Sequence, residues 1–283
     1  MIAMPEPGVY KNTPAAEYHS WPYLSNSMMT ILHNSSPAHL QYRLANPEPP
    51  TDAMLLGSAL HTAILEPMKF PFEYYRAEKT DKRTTAGKER FAEQQAESAG
   101  RTILDADKYD EVLAIRDAVL SNRKIAKILS YIDPQFREVS LVWDDEITGV
   151  RCKARLDGTC MHPGLGMVID PKSTVNASRA AFSKAIYEYG YGRQGVHYLE
   201  GLKAHDTFLD HFVLMPFEKT PPYASALYRL DDECMNASTK QRRRLINLYA
   251  ECLDSGIWPG YGEFLQDISL PRWATTQIEM ESV

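Results

Sequence analysis

The sequence predicts an α/β domain with a helical N-terminal portion, and three observations carry that prediction. Apolar residues recur at helical spacing through much of residues 25–130. From residue 137 the pattern changes to short strand-like runs separated by turn chemistry. Beyond residue 176, helical and strand-like segments are interleaved, the pattern of helices packed on a sheet.

Taken in order, residues 1–24 are rich in Pro and Tyr, show no period and read as an extended arm. Ser25-Asn26-Ser27 offers a cap for a helix carrying Met28, Met29, Ile31 and Leu32. Ser36 followed by Pro37 starts a second helix, because proline suits the first helical position. Residues 46–52 are a loop. Residues 53–66 read as a mostly buried helix stopped by Pro67. Residues 76–101 are polar and charged, either a mobile loop or an exposed helix. Residues 105–130 return to helical spacing through Val112, Ile115, Val119, Ile125 and Leu129. Residues 137–143, 150–157 and 167–170 are strands joined by turns at 144–149 and 161–166, which predicts an antiparallel meander. Asn176 caps a helix that Gly190 stops at Tyr189, and residues 193–206 form another. Residues 210–215 and 224–230 are strands, and 231–254 a long helix ended by Gly256. One domain over 25–255 results, with a helical part (25–130), a sheet core (137–230), a C-terminal helix (231–255) and a tail (256–283).

The 283 residues are 44% hydrophobic and 24% charged, an ordinary globular balance. The net charge of −6 excludes attraction of nucleic acid by the whole surface, so any DNA contact needs a local basic patch. Two clusters qualify. Lys79, Lys82, Arg83, Lys88 and Arg90 follow Tyr74-Tyr75, diluted by Glu78, Asp81 and Glu89; Lys240, Arg242, Arg243 and Arg244 are denser. Either is as readily a solvated face. No apolar run reaches the ~18–20 residues of a membrane span. The start of the chain has no signal-peptide character, and none of the four cysteines forms a CxxC pair, so we expect a cytoplasmic protein with free thiols.

The chemistry concentrates on Asp157 and Asp170, each at the end of a predicted strand, on consecutive strands. Neighbouring carboxylates repel, and a divalent cation relieves that repulsion; oxygen ligands favour Mg²⁺, with Mn²⁺ as a substitute. Lys172 lies two residues after Asp170, hence on the same strand face, where it can stabilise charge on a phosphate or orient a water. Of the 14 lysines it alone has an acid two positions earlier. About two such cases are expected by chance, so the spacing by itself proves nothing. The competing reading is a salt bridge at a strand end. His61, on an apolar helix, is by itself more often a satisfied core histidine than a ligand. Gln194 and Tyr198 share a helical face. Glu138 either ligates through water or pairs with Arg151 or Arg155.

The ordered set is more specific than its members. Glu138, Arg155-Leu-Asp157-Gly158 and Val168-Ile-Asp170-Pro171-Lys172-Ser-Thr174 together resemble the PD-(D/E)xK nuclease superfamily. Gln194-Gly-Val-His-Tyr198 resembles the QxxxY motif of its RecB-like branch, and Gly57-Ser-Ala-Leu-His61 that branch's upstream histidine motif. Leu24-Ser-Asn-Ser27 and Ser36-Pro37-Ala38-His39 are similar to the exonuclease VIII (RecE) type and its phage relatives.

The resemblance implies a mixed central sheet flanked by helices. It implies a metal held by His61, Asp157, Asp170 and the Pro171 carbonyl, with Lys172 as the catalytic lysine. Gln194 and Tyr198 would support the site or touch DNA. It further implies a bacterial or phage 5′→3′ exonuclease acting on linear double-stranded DNA in recombination, through a metal-activated water. A ring-shaped homotetramer and a single-strand annealing partner belong to the same expectation. The alternatives are a Cas4-like nuclease, an endonuclease, or a catalytically silent DNA-binding protein of the same fold. The cysteine spacing argues against the iron–sulfur cluster of Cas4-like proteins.

Overall fold

The structure, a computed structural model, describes residues 4–81, 83–262 and 264–281. In chain order the elements are β1 (Gly8–Tyr10), α1 (Ala15–Ser20), α2 (Asn26–Asn34), α3 (Pro37–Ala45), α4 (Asp52–Leu65), α5 (Phe70–Glu73) and β2 (Tyr74–Ala77). They continue with α6 (Thr85–Ser98), β3 (Thr102–Asp105), α7 (Ala106–Ser121), α8 (Arg123–Ser130), β4 (Arg137–Asp144), β5 (Arg151–Cys160) and β6 (Met167–Thr174). The last are α9 (Arg179–Glu188), α10 (Tyr191–Lys203), β7 (His211–Glu218), β8 (Tyr228–Arg229), α11 (Asp232–Ser255) and α12 (Arg272–Glu281).

Local chemistry sets several boundaries. The Ser25, Ser36 and Thr51 hydroxyls accept backbone N–H groups at the starts of α2, α3 and α4, satisfying donors that a helix leaves unpaired. Gly190 adopts a left-handed φ of 67° between α9 and α10, and Gly256 does the same after α11.

The central sheet has the order β1-β4-β5-β6-β7-β8. Its pairings are antiparallel except β6 with β7. The expected meander is therefore present as β4-β5-β6. The parallel β6–β7 pair needs a crossover, and α9 and α10 supply it. Each face of the sheet buries its own core. Leu141, Trp143, Leu156 and Val168 pack towards α2, α10 and α11. Ile169, Val213 and Met215 pack towards α4, α7 and α8. The sheet is thus the middle layer of a helix–sheet–helix arrangement.

Several expectations need correction. Within the described residues 4–24 the expected extended arm is not separate: Gly8–Tyr10 pairs with Ser140–Val142 as an edge strand, and α1 follows. Tyr18 and Trp21 bury against Val142. Lys153 fastens this segment, its buried ammonium donating to the carbonyls of Tyr18 (2.9 Å), His19 (3.4 Å) and Trp21 (2.5 Å). Burial lowers Lys153 to about 8. Of the two readings of residues 76–101, the exposed helix is present as α6, and the short parallel pair β2–β3, which was not expected, frames it. The helical run 105–130 breaks at Asn122, whose side chain caps α8. The strand expected at 224–230 shrinks to Tyr228–Arg229 and an isolated bridge at Ser225. No helix of the described residues is long and apolar enough to cross a membrane, and all four cysteines are free.

Candidate active site

The strand geometry brings the acids together. The β5–β6 ladder ends at Gly158↔Ile169, one residue short of both Asp157 and Asp170, so the strands part where the two carboxylates sit. Glu138 lies across from Asp157, flanked by the pairs Arg137↔Gly158 and Val139↔Leu156. Its φ of 52° is left-handed, a conformation that costs a non-glycine residue about 1–3 kcal/mol and that clusters at functional sites. Strict alternation would put Leu156 and Cys160 on one face, yet they bury in opposite cores. The pleat therefore breaks between them, opposite Glu138.

Donor atoms of His61, Glu138 and Asp157 all lie within 4.8 Å of one another. His61 Nδ1 is 3.5 Å from Asp157 Oδ2. Glu138 Oε2 accepts from Arg155 Nε at 2.7 Å, which settles its open partner as Arg155. Asp170 is fully buried. Its Oδ1 accepts from Gln194 Nε2 at 3.1 Å, and the same nitrogen donates to Tyr198 Oη at 2.8 Å. Its Oδ2 lies 2.5 Å from Lys172 Nζ but receives no well-directed hydrogen bond. Lys172 also sits 5.0 Å from the Tyr191 ring centroid.

The electrostatics follow from burial and mutual contact. Burial pushes the Asp170 carboxyl up to about 7, Lys172 opposing the rise and Asp157 reinforcing it. Burial also acts to raise Asp157, but the His61 and Lys172 charges outweigh it and hold Asp157 below its ordinary value. Glu138 is raised, by burial first and by Asp157 second. Burial works against the charges of His61 and Lys172, yet the facing carboxylates raise both groups. Without metal, a proton on Asp170 is therefore favoured below about pH 7.

These residues fit a divalent cation. A histidine nitrogen and two carboxylates converge, and the buried Asp170 Oδ2 lacks a directed donor. Protein without metal retains the Asp170 proton above the ordinary carboxylate value of 3.8. The stability this proton contributes is full below that value and is lost as pH rises through about 7. A cation must displace this proton and the proton on the ligating His61, whose charge the facing carboxylates favour, so Mn²⁺ affinity should increase at least about tenfold per pH unit below neutrality. Calorimetric titration at pH 6 and pH 8 checks this; equal affinities would contradict it.

The other predicted residues divide. His61, Glu138, Asp157, Asp170, Lys172, Gln194 and Tyr198 come together as described, and Pro171 continues β6 beyond the end of the β5 ladder. Lys79 and Lys88 are exposed, with no acid partner among the described residues. Arg83 is tied to Asp81 and Arg90 to Glu93 and Glu97. Lys82 lies outside the described residues. Lys240 and Arg244 are exposed on α11. Arg242 is a correction: it is buried, donates to His197 Nδ1 at 3.2 Å and faces Asp145, so it cannot meet DNA. Arg243 is also drawn inward, in a two-pronged pair with Asp145 at 2.7 and 3.0 Å.

Sequence reasoning missed a cavity of about 550 Å³ that opens on His61, Glu138, Asp157 and Arg155. Residues 12–15 and His19 line its far wall, so the N-terminal segment contributes to the site. Arg155 joins the two sides, donating to Thr13 O at 2.7 Å as well as to Glu138. Its place two residues before Asp157, on a shared strand face, was the available signal.

Residues 25–269 match the family described as "PDDEXK-like domain of unknown function (DUF3799)". The chain belongs to this family. The matched PDDEXK-like region contains every predicted site residue from His61 to Tyr198. Among solved structures, the PDDEXK-like chain is similar to a "Putative exonuclease" from Eubacterium rectale at 13% identity, with a TM-score of 0.59. The likeness covers 94% of this chain and 98% of that one, and at this identity it shows a shared fold. No curated protein matches the sequence.

Proposed function

We propose that this PDDEXK-like protein is a metal-dependent deoxyribonuclease, an exonuclease that shortens linear double-stranded DNA in the 5′→3′ direction during recombination. One observation carries the nuclease reading: Asp157 and Asp170 meet where their strands part, with Lys172 Nζ 2.5 Å from Asp170. His61, Asp157, Asp170 and the Pro171 carbonyl would hold Mg²⁺ or Mn²⁺, and Glu138 stands beside them. When bound, the cation supplies positive charge at the phosphate and acidifies water.

The remaining steps belong to the chain. Lys172 stays an ammonium because the facing carboxylates favour its charge, so it acts as a donor to a phosphate oxygen or a water rather than as a base. Gln194 fixes the Asp170 carboxylate, and Tyr198 fixes Gln194. Arg155 balances Glu138 while the N-terminal segment walls the cavity.

Polarity, preference for duplex ends, a ring-shaped homotetramer and an annealing partner are supported only by the sequence resemblance. Linear duplexes labelled separately at 5′ and 3′ ends test the reading, alongside closed-circular DNA. Early release of the 5′ label, with the circle intact, is expected. Cleavage of the circle would make the protein an endonuclease, and early release of the 3′ label would reverse the polarity.

A further inference from the structure

Four aromatic rings form a column that starts at the half-buried Tyr228, passes through buried Phe182 and through Tyr191 next to Lys172, and ends at the surface with Tyr189. Tyr228 and Phe182 have centroids 5.8 Å apart at 26°. Phe182 and Tyr191 follow at 5.9 Å and 28°, then Tyr191 and Tyr189 at 5.6 Å and 30°. Phe182 is fully buried, Tyr191 half-buried, and Tyr189 is 54% exposed. Left-handed Gly190 separates the outer two rings at the α9–α10 turn. A Cβ there would meet the Arg193 guanidinium at 2.3 Å, so the turn that aligns the rings depends on glycine. Arg193 is itself buried and held by Asn26, Thr30 and Gln241.

A core contact would explain Phe182 but not a stacked, exposed tyrosine at the end of the column. Tyr189 shows one face to Tyr191, and no further ring stacks on it among the described residues. The column adjoins the catalytic candidate directly, because Lys172 Nζ lies over Tyr191. Helix α9 also exposes Arg179 and Lys184, against Glu188. A planar, sequence-independent ligand fits such a surface, and bases of a single strand stack on tyrosines. Rings already aligned by the fold lose little freedom on binding.

Resting on the nuclease reading above, we propose that Tyr189, backed by Tyr191, is a stacking platform for an unpaired base beside the phosphate at Lys172. The partner is therefore the single-stranded end of a nucleic acid, and the surface selects an unpaired base without reading its identity.

Binding of a hydrolysis-resistant phosphorothioate 10-mer tests this, with an abasic 10-mer and hydrolysis of bis-p-nitrophenyl phosphate, which carries no base, as companions. Tyr189→Ala should weaken the base-bearing strand by about 5- to 100-fold. The abasic strand should be unaffected, and Tyr189→Trp should restore binding. Unchanged binding of the base-bearing strand, or equal losses for both strands, would overturn the platform. If the unsubstituted protein neither bound strands nor cleaved the diester in Mg²⁺ or Mn²⁺, the nuclease reading would fall with it.

Discussion

Lys172→Met should reduce metal-dependent DNA degradation by on the order of 10²–10³-fold, the usual effect of removing one preorganised donor to a developing charge. The substitution keeps side-chain length and its packing on Tyr191, and removes only the ammonium next to Asp170. With that positive charge gone, the neighbouring carboxylates face less competition for a cation. Addition of Mn²⁺ should therefore raise the melting temperature of the variant at least as much as that of the unsubstituted protein. A loss of activity accompanied by a loss of the Mn²⁺ effect would instead make Lys172 a structural residue.

Asp170→Asn should give the complementary outcome. The carboxylate is fully buried and holds a proton up to about pH 7, so a neutral amide of the same shape suits the metal-free site. The amide can still accept from Gln194, and the fold should survive. Degradation should fall by about 10³-fold or more, since both the charge and its alignment with Lys172 are lost. Unlike Lys172→Met, this variant should lose most of its stabilisation by Mn²⁺ at pH 8. Retained activity, or an unchanged Mn²⁺ effect, would remove Asp170 from the site. Measuring both variants by thermal shift and by release of acid-soluble nucleotide separates binding of the cation from chemistry.

Much of the site was legible because its signals are ordered along the chain. His61, Asp157, Asp170, Lys172, Gln194 and Tyr198 were each ambiguous, and their sequence order supplied the specificity. The β4-β5-β6 meander was legible for a similar reason: alternation and short turns persist over three consecutive runs. What escaped depends on contacts distant in sequence. Three residues, Gly8–Tyr10, are too few to show a period, and only pairing with β4 makes them a strand. The four-residue strands β2 and β3 hide around α6 for the same cause.

Charge misled where a charged side chain is buried. Arg242 looked like part of a basic patch, but α11 turns it towards His197 and Asp145. Lys153 sits among Arg151 and Arg155 in sequence, yet it is sealed under the backbone carbonyls of Tyr18, His19 and Trp21. Glu138 was undecided because its left-handed backbone, which accompanies the break in the β5 pleat, leaves no mark in composition. The aromatic column likewise draws Tyr228 and Phe182 from separate elements and becomes visible only once β8 and α9 pack together.

Asp157 is where these contacts converge. It faces His61, lies across from Glu138, and adjoins Asp170 at the parting of β5 and β6. The most direct test is release of acid-soluble nucleotide from uniformly labelled linear duplex in Mg²⁺, comparing the unsubstituted protein with Asp157→Asn, each shown to be folded by circular dichroism. Degradation by the first and background release by the second is the predicted result. Equal release by both proteins would contradict a nuclease centred on Asp157.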